Sequence, residues 1–124
     1  METKKKSILV IDDMSENLRI IKTILEDSYT VRLARSGALA KSILSTAVVD
    51  LILLDIEMPG QSGLEYIAWL KKNPVTSHIP VIFVSSHAET EVVKQALQFK
   101  VEGYIIKPIN PKLLRQRVSE VLNK

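Results

Sequence analysis

The run DLILLDIEMPG, residues 50–60, limits what this chain can fold into more than any other stretch. Leu51 to Leu54 are uninterrupted apolar residues leading straight into the carboxylate of Asp55, with Glu57 two positions on and Met58-Pro59-Gly60 closing the segment. An apolar run this short, bounded by turn residues, suits a strand buried on both faces of a parallel sheet. Asp55 then lies at the C-terminal edge of that strand, where parallel α/β sheets keep their ligand sites. A single acid at a strand end is more often a helix cap or a turn carboxylate, so the other strand ends must decide its meaning.

Four further segments carry strand patterns. Residues 7–11 (SILVI) are a second buried run, ending in Asp12-Asp13. Residues 29–34 (YTVRLA) alternate polar and apolar, as an edge strand with one poorer face should. Residues 79–84 (IPVIFV) tolerate Pro80 near the strand start and lead into Ser85-Ser86-His87. Residues 103–106 form a short fifth strand before Lys107-Pro108. Between the strands the apolar spacing turns helical. Ser15 is placed as the N-cap of a helix with Leu18, Ile21 and Leu25 inward, its apolar face widened by Ile20 and Ile24. Ser36-Gly37 opens a helix carried by Ala40, Ile43, Leu44 and Ala47. Leu64, Ile67 and Ala68 mark another, which must stop before Asn73-Pro74. A helix over 89–99 has Val92, Val93, Ala96 and Leu97 on one side. Asn110-Pro111 starts a closing helix with Leu114, Val118, Val121 and Leu122 inward. Five β-α units with short right-handed connections predict a doubly wound α/β fold. Its five-stranded parallel sheet takes the flavodoxin-like order 2-1-3-4-5, with helices on both faces.

Composition narrows the setting. At 124 residues the chain is expected to be a single domain over residues 1–124, with a core of ordinary size. Hydrophobic content of 46% with 25% charged residues places it among globular chains. It has no cysteine, which excludes disulfides and thiolate metal sites and suits a reducing compartment. The start METKKKSILVIDD has too short an apolar run for a signal-peptide core or a membrane span, so no membrane contact and a cytoplasmic location are expected. The net charge is +3, but Lys4 to Lys6, Lys71-Lys72, Lys112, Arg115 and Arg117 are scattered and not interleaved with aromatics. They read as solvated surface, and no direct nucleic-acid contact is expected.

The strand ends settle the meaning of Asp55. The first strand delivers Asp12 and Asp13, the third Asp55, the fourth Ser85 and the fifth Lys107. In the order 2-1-3-4-5 the first and third strands are neighbours at the switch point, so three carboxylates converge in one crevice beside a hydroxyl and an ammonium. Carboxylates this close raise one another's pKa unless a positive charge sits among them. A hard divalent cation with oxygen ligands, Mg²⁺, meets that need. With Mg²⁺ and Lys107 the formal charges cancel, and the crevice no longer repels a phosphoryl group. From the central strand end Asp55 can attack phosphorus in line and form an acyl phosphate.

Four stretches then carry a family likeness: VIDDMSEN at 10–17, LLDIEMPGQSGLE at 53–65, PVIFVSS at 80–86 and GYIIKP at 103–108. In their order and at these strand ends they resemble the receiver domain of two-component response regulators over essentially the whole chain. The resemblance implies phosphorylation of Asp55 by a sensor histidine kinase or a histidine phosphotransfer protein, followed by slow self-dephosphorylation. It implies Mg²⁺ held by Asp13, Asp55 and the main-chain carbonyl of Glu57, with Asp12 acting through a metal-bound water. Lys107 matches the family's lysine, and its bond to Pro108 matches a cis peptide. Ser85 falls on the hydroxyl position that moves to the phosphoryl group, and Tyr104 on the aromatic that follows it; each also reads simply, as a strand-end cap and a half-buried edge aromatic. Glu57 and His87 fall on positions that tune the lifetime of the acyl phosphate.

The family further implies a downstream effector domain or protein, and a homodimer face made by the helix over 89–99, the fifth strand and the closing helix. Gln61-Ser62, Glu102-Gly103 and Ser86 depart from the common pattern without removing a group that the chemistry needs. Three rivals compete with this reading. An aspartyl-nucleophile phosphohydrolase would place a DxD motif after its first strand and add a cap, for which there is no room. A flavin-binding module of the same topology would need a phosphate cradle after the first strand. A phosphate-independent receiver-like binding module has no need of the full set Asp12, Asp13, Asp55, Ser85 and Lys107. The expectation is a phosphorylation-activated switch, not an enzyme that turns over a separate substrate.

Overall fold

Three runs without a polar side chain, residues 8–11, 51–54 and 81–84, can be satisfied only in the interior of a sheet. The computed structural model, which describes residues 5–57, 63–86, 94, 95, 98, 99 and 101–123, puts them there. Strands β1 (Ser7–Ile11), β2 (Thr30–Ala34), β3 (Leu51–Asp55), β4 (Val81–Ser85) and β5 (Gly103–Ile106) form one sheet in the order β2-β1-β3-β4-β5. Every pairing is parallel, and β1, β3 and β4 are buried along their whole length. The alternating strand β2 takes one edge, as its half-polar pattern requires.

Helices α1 (Ser15–Leu25), α2 (Gly37–Thr46), α3 (Gly63–Lys72) and α4 (Pro111–Leu122) cover both faces. Strand residues sort between them by parity. Leu9, Ile11, Ile52, Leu54 and Phe83 pack with Ala40 and Leu44 of α2 and with Tyr66, Ile67 and Leu70 of α3. Ile8, Val10, Leu51, Leu53, Ile82 and Val84 pack with Leu18, Ile21 and Leu25 of α1 and with Leu114, Val118 and Leu122 of α4. Each fully buried Leu or Ile contributes ~1.5–3 kcal/mol, so this double layer fixes the register of every strand. Among the described residues no helix is long and apolar enough to cross a membrane.

Several local expectations need correction. Ser15 is the first residue of α1 and not its cap; Met14 holds the cap position and makes no side-chain capping bond. The turn is held from upstream, where Asp12 Oδ1 accepts the Met14 N–H at 2.9 Å. Ile20 does not widen the buried face of α1: it is 41% exposed, because the sheet covers only the Leu18, Ile21 and Leu25 stripe. Strand β2 starts one residue later than expected, since the Tyr29 N–H still donates to Leu25 O. Strand β4 runs from Val81 through Ser85, and Pro80 precedes it, offering its carbonyl to the Ile52 N–H at 3.0 Å. The helix starts that carry a polar cap behave as the sequence predicts. Ser36 Oγ accepts the Leu39 N–H at 3.1 Å, and Asn110 Oδ1 accepts the Leu113 N–H at 3.0 Å ahead of Pro111. Of the expected helix over 89–99, Lys94 and Gln95 are helical, while Val92, Val93, Ala96 and Leu97 lie outside the described residues.

Candidate functional site

The parallel register delivers the polar residues to one edge. Ile11 pairs with Leu54, so Asp12 and Asp55 emerge side by side, and Asp55 in turn pairs with Val84, one residue before Ser85. Backbone bonds extend the sheet past the strand ends: Asp12 N–H to Ala34 O at 3.1 Å, Ile56 N–H to Val84 O at 3.1 Å and Lys107 N–H to Ser85 O at 2.7 Å. These bonds fix the directions in which the side chains of Asp12, Asp55 and Lys107 leave the main chain.

One carboxylate oxygen from each of Asp12, Asp13 and Asp55 lies within 4.8 Å of the other two. Asp12 and Asp55 are each 2% exposed, and Asp13 opens toward solvent. The ammonium of Lys107 stands 3.1 Å from Asp12 Oδ2 and 3.5 Å from Asp55 Oδ2. Asp55 Oδ1 accepts the Glu57 N–H at 3.1 Å. Burial, with the Asp12 charge behind it, pushes the Asp55 carboxyl up from 3.8 to about 7, although the Glu57 N–H and Lys107 pull it down. Burial pulls on Lys107 as well, but the two carboxylates outweigh it and leave the ammonium above its ordinary value.

Among the described residues a single ammonium faces the three carboxylates, which leaves them short of positive charge. Asp12 Oδ2 is buried with no hydrogen bond of good geometry, only the ionic contact to Lys107. An all-oxygen set of three carboxylates sharing one ammonium fits a hard divalent cation.

The structure brings together Asp12, Asp13, Asp55, Glu57, Ser85 and Lys107. The Lys107–Pro108 bond is cis, as the resemblance implied. Tyr104 is half-buried on β5 and packed against the α2/α3 layer. His87 lies outside the described residues, as do Met58-Pro59-Gly60 and Gln61-Ser62. Sequence reasoning missed the side-chain bonds of Glu57. Its Oε1 accepts from Ser85 Oγ at 2.9 Å, from Ser86 Oγ at 3.2 Å and from the Ser86 N–H at 3.3 Å. The available signal was an acid two residues beyond one strand end, facing paired hydroxyls at the next.

Fold and site together define a doubly wound α/β domain with an acidic pocket at the switch point of its sheet. Residues 8–119 match the response regulator receiver domain, and the chain belongs to that family. A probable cyclic di-GMP phosphodiesterase of Vibrio cholerae serotype O1 is 39% identical over 112 residues, which are 90% of this chain but 25% of that protein. This chain thus spans about a quarter of that relative's length. The chemotaxis protein CheY of Pseudomonas aeruginosa is 29% identical over 119 residues, 94% of this chain and 96% of CheY. Among solved structures, a CheY-like response regulator receiver domain protein from Methanospirillum hungatei JF-1 superposes with a TM-score of 0.88 at 29% identity, covering 97% of this chain and 95% of that one. Within the family, an acidic cluster such as Asp12, Asp13 and Asp55 is typical of a phosphoacceptor.

Proposed function

We propose that this chain, as one receiver domain over residues 1–124, is a phosphorylation-activated signalling switch with Asp55 as its acceptor. The observation that carries the reading is a carboxylate buried to 2% exposure, whose oxygen shares the Lys107 ammonium with Asp12. A buried acid so placed is costly to the fold and is explained by chemistry done on it. The donor is the phosphohistidine of a sensor histidine kinase or a histidine phosphotransfer protein. An Asp55 oxygen attacks phosphorus in line; the P–O bond forms as the P–N bond breaks, and the electron pair leaves on the imidazole nitrogen. Lys107 holds positive charge beside the incoming phosphoryl oxygens. Asp13, Asp55 and the Glu57 main-chain carbonyl would hold Mg²⁺, with Asp12 acting through a metal-bound water. When bound, the ion supplies the charge that lets an anionic phosphoryl group approach an anionic pocket.

Phosphorylation biases a two-state equilibrium. Ser85 turns its hydroxyl to the phosphoryl group, Tyr104 follows, and the surface around β5 and α4 changes for a downstream effector or a second copy of the chain. Biases of this kind are about 1–3 kcal/mol. Water then hydrolyses the acyl phosphate slowly, so the chain resets itself and turns over no separate substrate. Such a switch works in the cytoplasm, where histidine kinases present their phosphohistidine. Acetyl phosphate with Mg²⁺, followed by intact-mass measurement, tests the reading. Wild type gains one phosphoryl group and Asp55→Asn gains none. A wild type that stays unmodified with a competent donor would leave the phosphate-independent binding module standing.

A further inference from the structure

The partners of the Glu57 carboxylate differ from those of an ordinary surface acid. A single oxygen, Oε1, receives the Ser85 hydroxyl at 2.9 Å, the Ser86 hydroxyl at 3.2 Å and the Ser86 amide at 3.3 Å. These three donors come from two successive residues at the end of β4, and Ser85 is 1% exposed. Donors converging from one strand end onto one anionic oxygen make an oxyanion cradle. The main chain of the same residue points the other way, since the Glu57 N–H donates to Asp55 Oδ1 at 3.1 Å. Glu57 therefore bridges the acceptor on β3 and the cradle on β4.

We infer that Glu57 is an internal stand-in for the phosphoryl group. In the unmodified protein its carboxylate fills the Ser85–Ser86 cradle, and a phosphoryl group on Asp55 must displace it. The inference rests on Asp55 being the acceptor. Exclusive occupancy follows from stoichiometry and charge. A serine hydroxyl has one proton to donate, so Ser85 cannot serve a carboxylate and a phosphoryl oxygen together. A carboxylate and a phosphoryl dianion on the same neutral donors would also repel each other. No bond to carbon or phosphorus changes in the exchange. The Ser85 proton turns from one oxygen to another, and the exposed Glu57 side chain moves into water. Glu57 thus holds the switch off by competing for the donors that the phosphoryl group needs, and it acts as a positioning residue through Ser85.

Two measurements on wild type, Glu57→Ala and Glu57→Gln test the competition, each repeated in a Ser85→Ala background. In the unmodified protein, hydrogen exchange at the Ser86 amide should quicken roughly tenfold in Glu57→Ala, and less in Glu57→Gln, whose side-chain oxygen still accepts. With acetyl phosphate and Mg²⁺, half-modification of Asp55 should need roughly five- to tenfold less donor in the Glu57 variants. That gain should shrink to little in the Ser85→Ala background. A gain that persists undiminished there reflects removal of a nearby negative charge and overturns the inference, as does unchanged Ser86 exchange. A phosphorylated wild type with no gain in either variant overturns it alone. A wild type that takes no phosphoryl group overturns the phosphoacceptor reading and this inference with it.

Discussion

Asp55 is where burial and charge oppose each other most strongly. A carboxyl whose folded value lies near 7, against 3.8 unperturbed, binds its proton more tightly in the folded chain than in the unfolded one between those values. In the absence of metal the fold therefore has its full share of this stability at the acid end, and loses it as pH rises from about 4 to about 7. Asp55→Asn removes the titration and keeps the shape. Urea unfolding in the presence of EDTA should find the variant about 1–3 kcal/mol more stable than wild type near pH 8. Its stability curve should also lack the wild-type fall across that window, and an identical slope in both proteins would mean a solvated carboxylate. Lys107 works in the opposite direction, because it is the cation shared by Asp12 and Asp55. Lys107→Gln leaves two buried carboxylates facing each other, so the same titration should show a loss of about 2–4 kcal/mol near pH 8 that shrinks toward acid.

At the scale of elements, what the sequence made legible depends on whether the cause is local. The helix starts at Ser36 and Asn110 were readable because the polar side chain, the helix start and the amide it serves lie within three residues of one another. Asn110→Ala should cost about 1 kcal/mol in chemical denaturation, without a change in the denaturant slope. Ser15 misled because the entry to α1 is held by Asp12, a residue that already belongs to the acidic pocket. Ile20 misled because spacing alone cannot say how wide a stripe the sheet will cover. Tyr66 was missed altogether. It is fully buried on α3 and donates its hydroxyl to Gly37 O at 3.0 Å, tying α3 to the first turn of α2. That partner is 29 residues away in sequence, beyond the reach of any local pattern. Tyr66→Phe should cost about 1 kcal/mol and should quicken hydrogen exchange in the first turn of α2 before that of α1.

At the scale of the whole molecule, five parallel strands in the order β2-β1-β3-β4-β5 turn a one-dimensional order of strand ends into a pocket. Asp12, Asp55, Ser85 and Lys107 are brought together by parallel register at and just past the strand ends. The Glu57 contacts escaped sequence reasoning because they depend on which rotamer an exposed acid adopts across a strand boundary. The opposite end of the sheet is closed differently: Lys5 Nζ donates to Glu26 O just beyond α1, and Lys6 Nζ to Leu122 O at the end of α4. Two lysines there meet helix C-terminal carbonyls, where positive charge is favourable. Cations thus meet carbonyls at one end of the sheet, while at the other, among the described residues, one ammonium faces three carboxylates, so a divalent ion should stabilise the folded chain as a ligand. Ligand linkage makes the melting temperature rise with the logarithm of Mg²⁺ concentration above the dissociation constant. Protons compete with the ion for the Asp55 carboxylate, whose folded value is about 7. The rise should therefore be larger near pH 8 than near pH 6. Thermal melts across a Mg²⁺ series at both pH values check this, with Asp13→Asn as the comparison. Asp13 is the partly exposed member of the trio, so its substitution should remove most of the Mg²⁺-dependent rise while leaving the metal-free melt nearly unchanged. An equal rise in both proteins would place the ion away from the three carboxylates.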